Sequence, residues 1–149
     1  MSIKKNLFNE KGAVLITVSF LIPVFILIAG AVIDIGGAMM AKENLYKACL
    51  IAAEECTKEI DILKAQHEGV NHLTSDFNDV IISYFYRNIN ESENFRITFL
   101  DYNVYESLQN PKYIEVFSRG TYSTGFLKLI SIDEINVNAA AIGRLKKID

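Results

Sequence analysis

An uninterrupted run of uncharged residues near the N-terminus constrains this 149-residue chain more than any other feature. Residues 12–33 contain no Asp, Glu, Lys or Arg, and only Thr17, Ser19, Pro23 and Gly30 interrupt the apolar side chains after the first position. As a helix, the 22 residues span roughly 33 Å, which matches a hydrocarbon core of about 30 Å. Because backbone groups in lipid must bond within their own segment, the run predicts a transmembrane helix.

The charges on either side of this run predict its orientation. Three lysines precede it (Lys4, Lys5 and Lys11), whereas Asp34 follows it directly and the next cation is Lys42. Positively charged flanks stay on the cytoplasmic side, so the N-terminus is predicted to be cytoplasmic and the polypeptide to cross once. The chain thus divides into a basic leader over residues 1–11, a transmembrane helix over 12–33 and an extracytoplasmic domain over 34–149.

Two other interpretations of the apolar run stay open at this point. Ala29, Gly30 and Ala31 resemble the small-residue cleavage site of a secretory signal peptide, although the run exceeds the usual apolar segment of about 7–15 residues. A buried helix of a soluble protein is equally apolar, but it needs packing on all sides from a small remaining domain. We favour a permanent membrane anchor over both.

The composition disfavours catalysis and nucleic-acid binding. Fifteen basic and 18 acidic residues give a net charge of −3, whereas a nucleic-acid binder needs a basic face to neutralise phosphates. The sequence holds no zinc-ligand spacing, glycine-rich phosphate loop or G-x-S-x-G motif. His67 and His72 lie five residues apart near a connection, and two ligands are too few for a metal site. We therefore predict that the protein is not an enzyme and takes no cofactor, metal or small-molecule substrate.

Hydrophobic periodicity predicts that the first helix continues beyond the membrane to about residue 63. Its apolar positions recur every three or four residues, as one stripe on a helix does: Ala41, Leu45, Ala48, Ala52, Cys56, Ile60 and Leu63. After a connection at residues 69–73, Thr74 or Ser75 is predicted to cap a second helix. The amphipathic face of that helix consists of Phe77, Val80, Ile81, Tyr84 and Phe85.

Cys49 and Cys56 share a face of the predicted first helix. They are two turns apart, which separates them by about 10.5 Å along the axis and prevents a disulfide between them. Two roles stay open: small core residues, or thiols that each bridge to another chain.

The C-terminal half of the sequence predicts three strands. Residues 95–105 and 113–123 are rich in β-branched and aromatic residues and flank a turn signal, which indicates a hairpin. The alternation in the first changes phase near Leu100, which indicates either a β-bulge or a strand buried on both faces. Residues 135–142 alternate as a third strand, and residues 126–130 form a short apolar segment of one or two helical turns. The predicted class is α+β: a long N-terminal transmembrane helix that extends into a domain with a second helix and a small antiparallel sheet.

Four segments of the N-terminal part share a pattern with a known family. They are residues 10–14 (EKGAV), residues 21–23 (LIP), residues 31–36 (AVIDIG) and the small-residue stretch at 41–55. Together they resemble the TadE/TadG-like pilus-assembly proteins of bacterial tight-adherence (Flp) systems. The resemblance covers about residues 8–56 and extends further only through the architecture, including the alanines at positions 139–141.

The resemblance implies a pilin-like fold and a pseudopilin-like minor subunit or assembly component of a tight-adherence pilus. It further implies an anchor in the cytoplasmic membrane, an extracytoplasmic domain, a place in the pilus, and contacts with other pilins or pilus-assembly proteins through the N-terminal helix. Many relatives are processed after a basic leader that ends in Gly, which here corresponds to cleavage between Gly12 and Ala13. Those relatives carry Glu five residues after the cut, whereas this chain has Thr17 there. The alternative function is a membrane-tethered extracytoplasmic binding module unrelated to a pilus.

Small residues along the helix predict where it approaches a partner helix closely. The candidate contact residues are Thr17, Ser19, Gly30, Asp34, Gly36, Gly37 and Ala38. Asp34 has two interpretations: it pairs with a basic group or free N-terminus of a neighbour, or it is a boundary charge among lipid headgroups.

Overall fold

The computed structural model describes residues 7–107 and 109–145. Three α-helices come first, and three strands follow, with a 3-10 helix between the last two. They are α1 (Leu7–Cys56), α2 (Ile62–Glu68), α3 (Phe77–Asn88), β1 (Phe95–Tyr105), β2 (Tyr113–Ser123), a 3-10 helix (Leu127–Ile130) and β3 (Glu134–Arg144). The α+β class predicted from periodicity is confirmed, with one more helix than expected.

The three strands form one antiparallel sheet in the order β1-β2-β3. Tyr105 pairs with Tyr113 across the first hairpin, and Ser123 pairs with Glu134 across the second. The bulge predicted in β1 exists, but the register shifts between Ile97 and Phe99, slightly before the expected position. Sequential strands joined by short loops therefore build the sheet, as is usual for a meander.

The C-terminal half of α1 packs against this sheet through small side chains. Leu45, Ala48, Ala52 and their neighbours on the predicted stripe are fully buried, and Ile81 and Phe85 of α3 complete the core. The closest approach lies where β3 crosses α1, since a Cβ on Gly143 would overlap the carbonyl oxygen of Ala53. The stripe predicted from the sequence is thus the face that α1 presents to its own domain.

The first helix ends at Cys56, so the predicted extension to about Leu63 is wrong. The Thr57 hydroxyl donates to the Glu54 carbonyl, and the N–H of Glu59 donates to the Cys56 carbonyl in a turn. Asp61 then caps a separate helix by accepting the Lys64 N–H. The apolar spacing continues across this turn only in the sequence, because Ile60 is half-buried and Leu63 is 73% exposed, so neither extends the buried face of α1.

The predicted cap of the next helix is also displaced. Asp76 occupies the N-cap position of α3, and Ser75 donates its hydroxyl to the Asp76 carboxylate. The N–H of Thr74 instead donates to the Glu59 carbonyl, which ties this segment to the turn after α1. The amphipathic face predicted for α3 is confirmed, because Ile81 and Phe85 are buried.

Both cysteines are buried and free, which supports the core interpretation over bridges to another chain. Cys49 lies against the Ala139 carbonyl and Cys56 against the Phe77 carbonyl. Burial raises the pKa of each thiol to about 12. A neutral, enclosed thiol is a poor nucleophile, so these residues act as small apolar side chains.

We predict that iodoacetamide at pH 8 leaves Cys49 and Cys56 unmodified in the detergent-solubilised native protein and labels both after urea is added. The physical reason is that neither thiolate nor reagent access exists in the folded core. Mass spectrometry of the full chain measures the labelling. The Ser83→Cys variant, with an exposed thiol on α3, is the control; native labelling of the two natural cysteines at its rate would contradict their burial.

Candidate functional site: the apolar helix and its junction with the domain

The N-terminal half of α1 projects from the domain with its apolar side chains uncovered. Across residues 12–29 every side chain is exposed except that of Leu27, which is half-buried. Within the described residues, one helix, Gly12–Cys56, is by length and composition suited to cross a membrane; the mean hydropathy of its most apolar window is 2.7 and only 6% of that window is buried. The core helix of a soluble domain is mostly covered, so that alternative does not fit. A signal sequence passes the same test and remains open.

The polar residues of this run are satisfied within their own helix. The Thr17 hydroxyl donates to the Ala13 carbonyl at 2.9 Å, and the Ser19 hydroxyl donates to the Leu15 carbonyl at 2.8 Å. Helix α1 also continues through Pro23 without a break. Hydroxyls that bond to the carbonyl four residues earlier need no partner from outside, so the surface of this half is effectively apolar.

At the outer end of the run, α1 meets the domain through one narrow face. A Cβ on Gly30 would overlap the Phe126 side chain, and a Cβ on Gly37 would overlap the Tyr122 hydroxyl. The two glycines are seven residues apart and therefore lie on the same side of the helix. Their missing side chains let the end of β2 and the loop after it lie directly on the helix backbone.

Asp34 occupies the centre of this face and is almost fully buried, with 4% of its surface exposed. Its Oδ1 accepts the Gly125 N–H at 3.0 Å, and its Oδ2 accepts the N–H groups of Phe126 at 2.8 Å and Leu127 at 2.7 Å. Leu127 begins the 3-10 helix, whose first N–H groups have no partner inside the helix. The carboxylate therefore caps this helix from a position more than 90 residues earlier in the chain.

These bonds also set the ionisation of Asp34. The Leu127 amide lowers the pKa of the carboxyl group most strongly, and the Gly125 and Phe126 amides lower it further. Burial acts in the opposite direction, yet the pKa remains below its ordinary value. A carboxylate that accepts several backbone N–H groups is stabilised in its charged form.

The structure divides the predicted contact residues into two sets. Gly30, Asp34, Gly37 and Ala38 face the chain's own domain, whereas Thr17, Ser19 and Gly36 lie on exposed surface. The bonds of Asp34 to backbone amides differ from both interpretations of that residue given by the sequence. One feature of the sequence is consistent with these bonds: Asp34 lies at the edge of an apolar run, and no cation follows until Lys42. Such an acid needs hydrogen-bond donors from elsewhere in the fold. Gly12 and Ala13, the predicted processing site, lie exposed in α1.

A groove between α3 and β1 has a volume of about 530 Å³. Its lining includes Ile82, Tyr86, Phe99 and Asp101. Across the described residues no group of three or more His, Cys, Asp or Glu side chains is placed to hold a metal ion. His72 instead contacts the Glu68 carboxylate at 2.7 Å.

No protein-family model, curated protein or solved structure matches this chain. What it does is therefore inferred from its own residues and geometry.

We predict that Asp34→Asn loosens the loop after β2. The amide side chain carries no charge, and its NH₂ group opposes the backbone donors that the carboxylate accepts. Hydrogen exchange of the Gly125, Phe126 and Leu127 amides is expected to accelerate by about tenfold or more. Asp133→Asn, the same change at an exposed aspartate beside that loop, is the control and leaves these rates unchanged. Equal exchange in both variants would contradict the capping role.

The same contact predicts a specific acid sensitivity. Because the folded-state pKa of Asp34 lies below the ordinary value of 3.8, its contribution to stability is present above that pH and is lost as the pH falls through the folded-state value. Urea unfolding between pH 2 and pH 6 is expected to show a steeper acid decline for the natural protein than for Asp34→Asn. Parallel curves would mean that the carboxylate titrates alike in the folded and unfolded states.

Proposed function

We propose that this chain is a pseudopilin-like minor subunit or assembly component of a bacterial tight-adherence pilus. In this proposal, residues 12–33 anchor it in the cytoplasmic membrane, the basic leader is cytoplasmic, and the domain from residue 34 onward is extracytoplasmic. The observation that carries the proposal is a single helix that is apolar and largely uncovered over residues 12–29 and then runs without interruption into the domain.

Such a helix suits two environments. Its apolar surface is compatible with lipid tails, and it is equally compatible with the packed helices of other pilins. A subunit of this kind resides in the bilayer and moves into a helical assembly without a change in its own fold. The closed hydroxyl bonds of Thr17 and Ser19 support this, since they leave neither hydroxyl proton for either environment to satisfy.

The assignment to a pilus rests on the resemblance of residues 8–56 to TadE/TadG-like proteins. The arrangement of α1 against a small antiparallel sheet supports it, since the resemblance implies a long helix continuing into such a domain. Cleavage between Gly12 and Ala13 stays part of the proposal. It would free the N-terminus at Ala13 and leave the anchor and the junction with the domain intact.

In this proposal, only some of the predicted contact residues remain free to meet a partner helix. Phe126 and Tyr122 of the same chain fill the space beside Gly30 and Gly37, so a larger side chain at either glycine would disrupt packing within the domain itself. A Cβ on Gly36 would meet nothing within 4 Å. Gly36 is therefore the small residue through which a neighbouring helix comes closest, together with the exposed Thr17 and Ser19 lower on the helix.

A membrane-tethered binding module is the second candidate, and the groove between α3 and β1 favours it. Strand β1 lies at an edge of the sheet and borders this groove, so an extended peptide has both a concave surface and a strand edge beside it. Gene order distinguishes the two functions: genes for a secretion ATPase and inner-membrane platform proteins beside this gene are expected for the pilus component, and an isolated gene for the module.

We predict that Gly36→Leu reduces co-purification of the full chain with the pilus platform proteins from detergent-solubilised cells several-fold. The added side chain blocks close helix approach, while its Cβ has no atom of its own domain within 4 Å. Quantitative mass spectrometry of the captured platform proteins measures the loss, and urea unfolding checks that the domain is intact.

Ile35→Leu is the matched control, because it changes the neighbouring exposed position without adding volume. Full co-purification of Gly36→Leu would remove this face from the interaction. Absence of platform proteins from the natural complex would contradict the pilus assignment itself.

A further inference from the structure

We propose that the loop between β2 and β3 inserts into the membrane surface, so that the domain touches lipid at a second point beside α1. Residues 125–132 (GFLKLISI), here called the apolar tip, contain the 3-10 helix and project from the end of the sheet. This inference rests on the proposed placement of residues 12–33 across the bilayer.

The apolar tip exposes large hydrophobic side chains next to one another. Phe126, Ile130 and Ile132 are each exposed over more than a third of their surface, and Leu129 is 72% exposed. Lys128 is the one charged residue in this segment of the sequence. Contiguous apolar side chains at the tip of a loop are unusual on a domain that meets only water, and they mark a binding surface.

The position of the apolar tip along α1 indicates that the surface it contacts is lipid. From the end of β2 the chain runs toward the N-terminus of α1, with Tyr122 at Gly37, the amide donors at Asp34, and Phe126 at Gly30. Gly30 lies three residues inside the apolar run, or about 4.5 Å below its outer end. The tip therefore reaches the depth of the boundary between headgroups and acyl chains, where interfacial segments bury their apolar faces.

The tip is held in this position by bonds at both of its ends. Asp34 fixes its first amides, and the N–H of Thr124 donates to the Asp133 carbonyl at 2.9 Å where the loop closes. The Thr124 hydroxyl also donates to the Ile132 carbonyl. The exposed side chains are thus presented by a fixed loop, and little ordering is needed when they enter lipid.

The chemistry of the tip fits a phospholipid surface. Its apolar side chains continue the uncovered surface of α1, on which Val32 and Ile33 are exposed at the same level. Lys128 is exposed among them, and a lysine at the interface extends its ammonium group to lipid phosphates while its methylenes stay in the apolar layer.

The test uses tryptophan as a depth probe, since the natural chain contains none. The full chain carrying Leu129→Trp is reconstituted into phosphatidylcholine–phosphatidylglycerol vesicles, with and without lipids brominated on the acyl chain. We expect a blue-shifted emission, strong quenching by the brominated lipid and weak quenching by aqueous iodide. Ile130→Trp repeats the measurement should the first variant fold poorly.

Two further variants separate the possible failures. Leu63→Trp places the probe at a position with the same exposure, 73%, on α2 after the end of α1, and it is expected to respond to iodide alone. Phe20→Trp places it within the apolar run and reports whether α1 itself lies in lipid.

Quenching at positions 20 and 129 but not at 63 supports the proposal. Quenching at position 20 alone overturns the contact of the tip and leaves the anchor standing. No quenching at any position overturns both. Equal quenching at positions 63 and 129 overturns the specific contact of the tip with lipid. A blue shift at position 129 that is unaffected by brominated lipid and increases with protein density also overturns it, because a second copy of the chain would then cover the tip.

Discussion

The carboxylate of Asp34 joins the two halves of this molecule at the point where α1 leaves its apolar run. A charged group at the end of an apolar run is costly to bury unless donors surround it. Three consecutive backbone N–H groups supply those donors, and they lead into the start of a 3-10 helix, where such groups lack internal partners. One contact thus satisfies the acid, caps a helix and positions the loop after β2. The glycines four residues before and three residues after Asp34 make room for that loop.

Small side chains also allow close packing in the rest of the domain. Along its C-terminal half, α1 presents alanines and cysteines to the sheet, and β3 crosses it at Gly143 with no space for a side chain. Close approach of helix and sheet increases the number of dispersion contacts that a small domain makes per residue. The N-terminal half of the same helix does the opposite and presents large aliphatic side chains outward. The change in side-chain size along α1 follows the change in what surrounds it.

Local patterns predicted the elements of this fold well, because each pattern reports on the residues within it. The β-branched and aromatic residues at 113–123, after a turn signal, predicted the bounds of β2, and the periodicity of α3 predicted its buried face. The end of α1 was missed because Ile60 and Leu63 continue its apolar spacing, while the backbone turns after Cys56 through bonds that periodicity does not encode. The role of Asp34 was missed for a different reason: its donors lie 91 to 93 residues away, and a single sequence without pairing information does not join them.

The three contacts along residues 30–37 have a mechanical consequence. They hold the domain to the helix at several levels, and α1 then continues about 33 Å from Asp34 to its end at Cys56. Under the proposed placement of residues 12–33 in a bilayer, any tilt of this span is transmitted to the domain through the continuous helix. A tilt of about 20°, ordinary for a single span, would swing the distal end by about 11 Å. Bilayer thickness or packing against a neighbour would thus set the inclination of the domain.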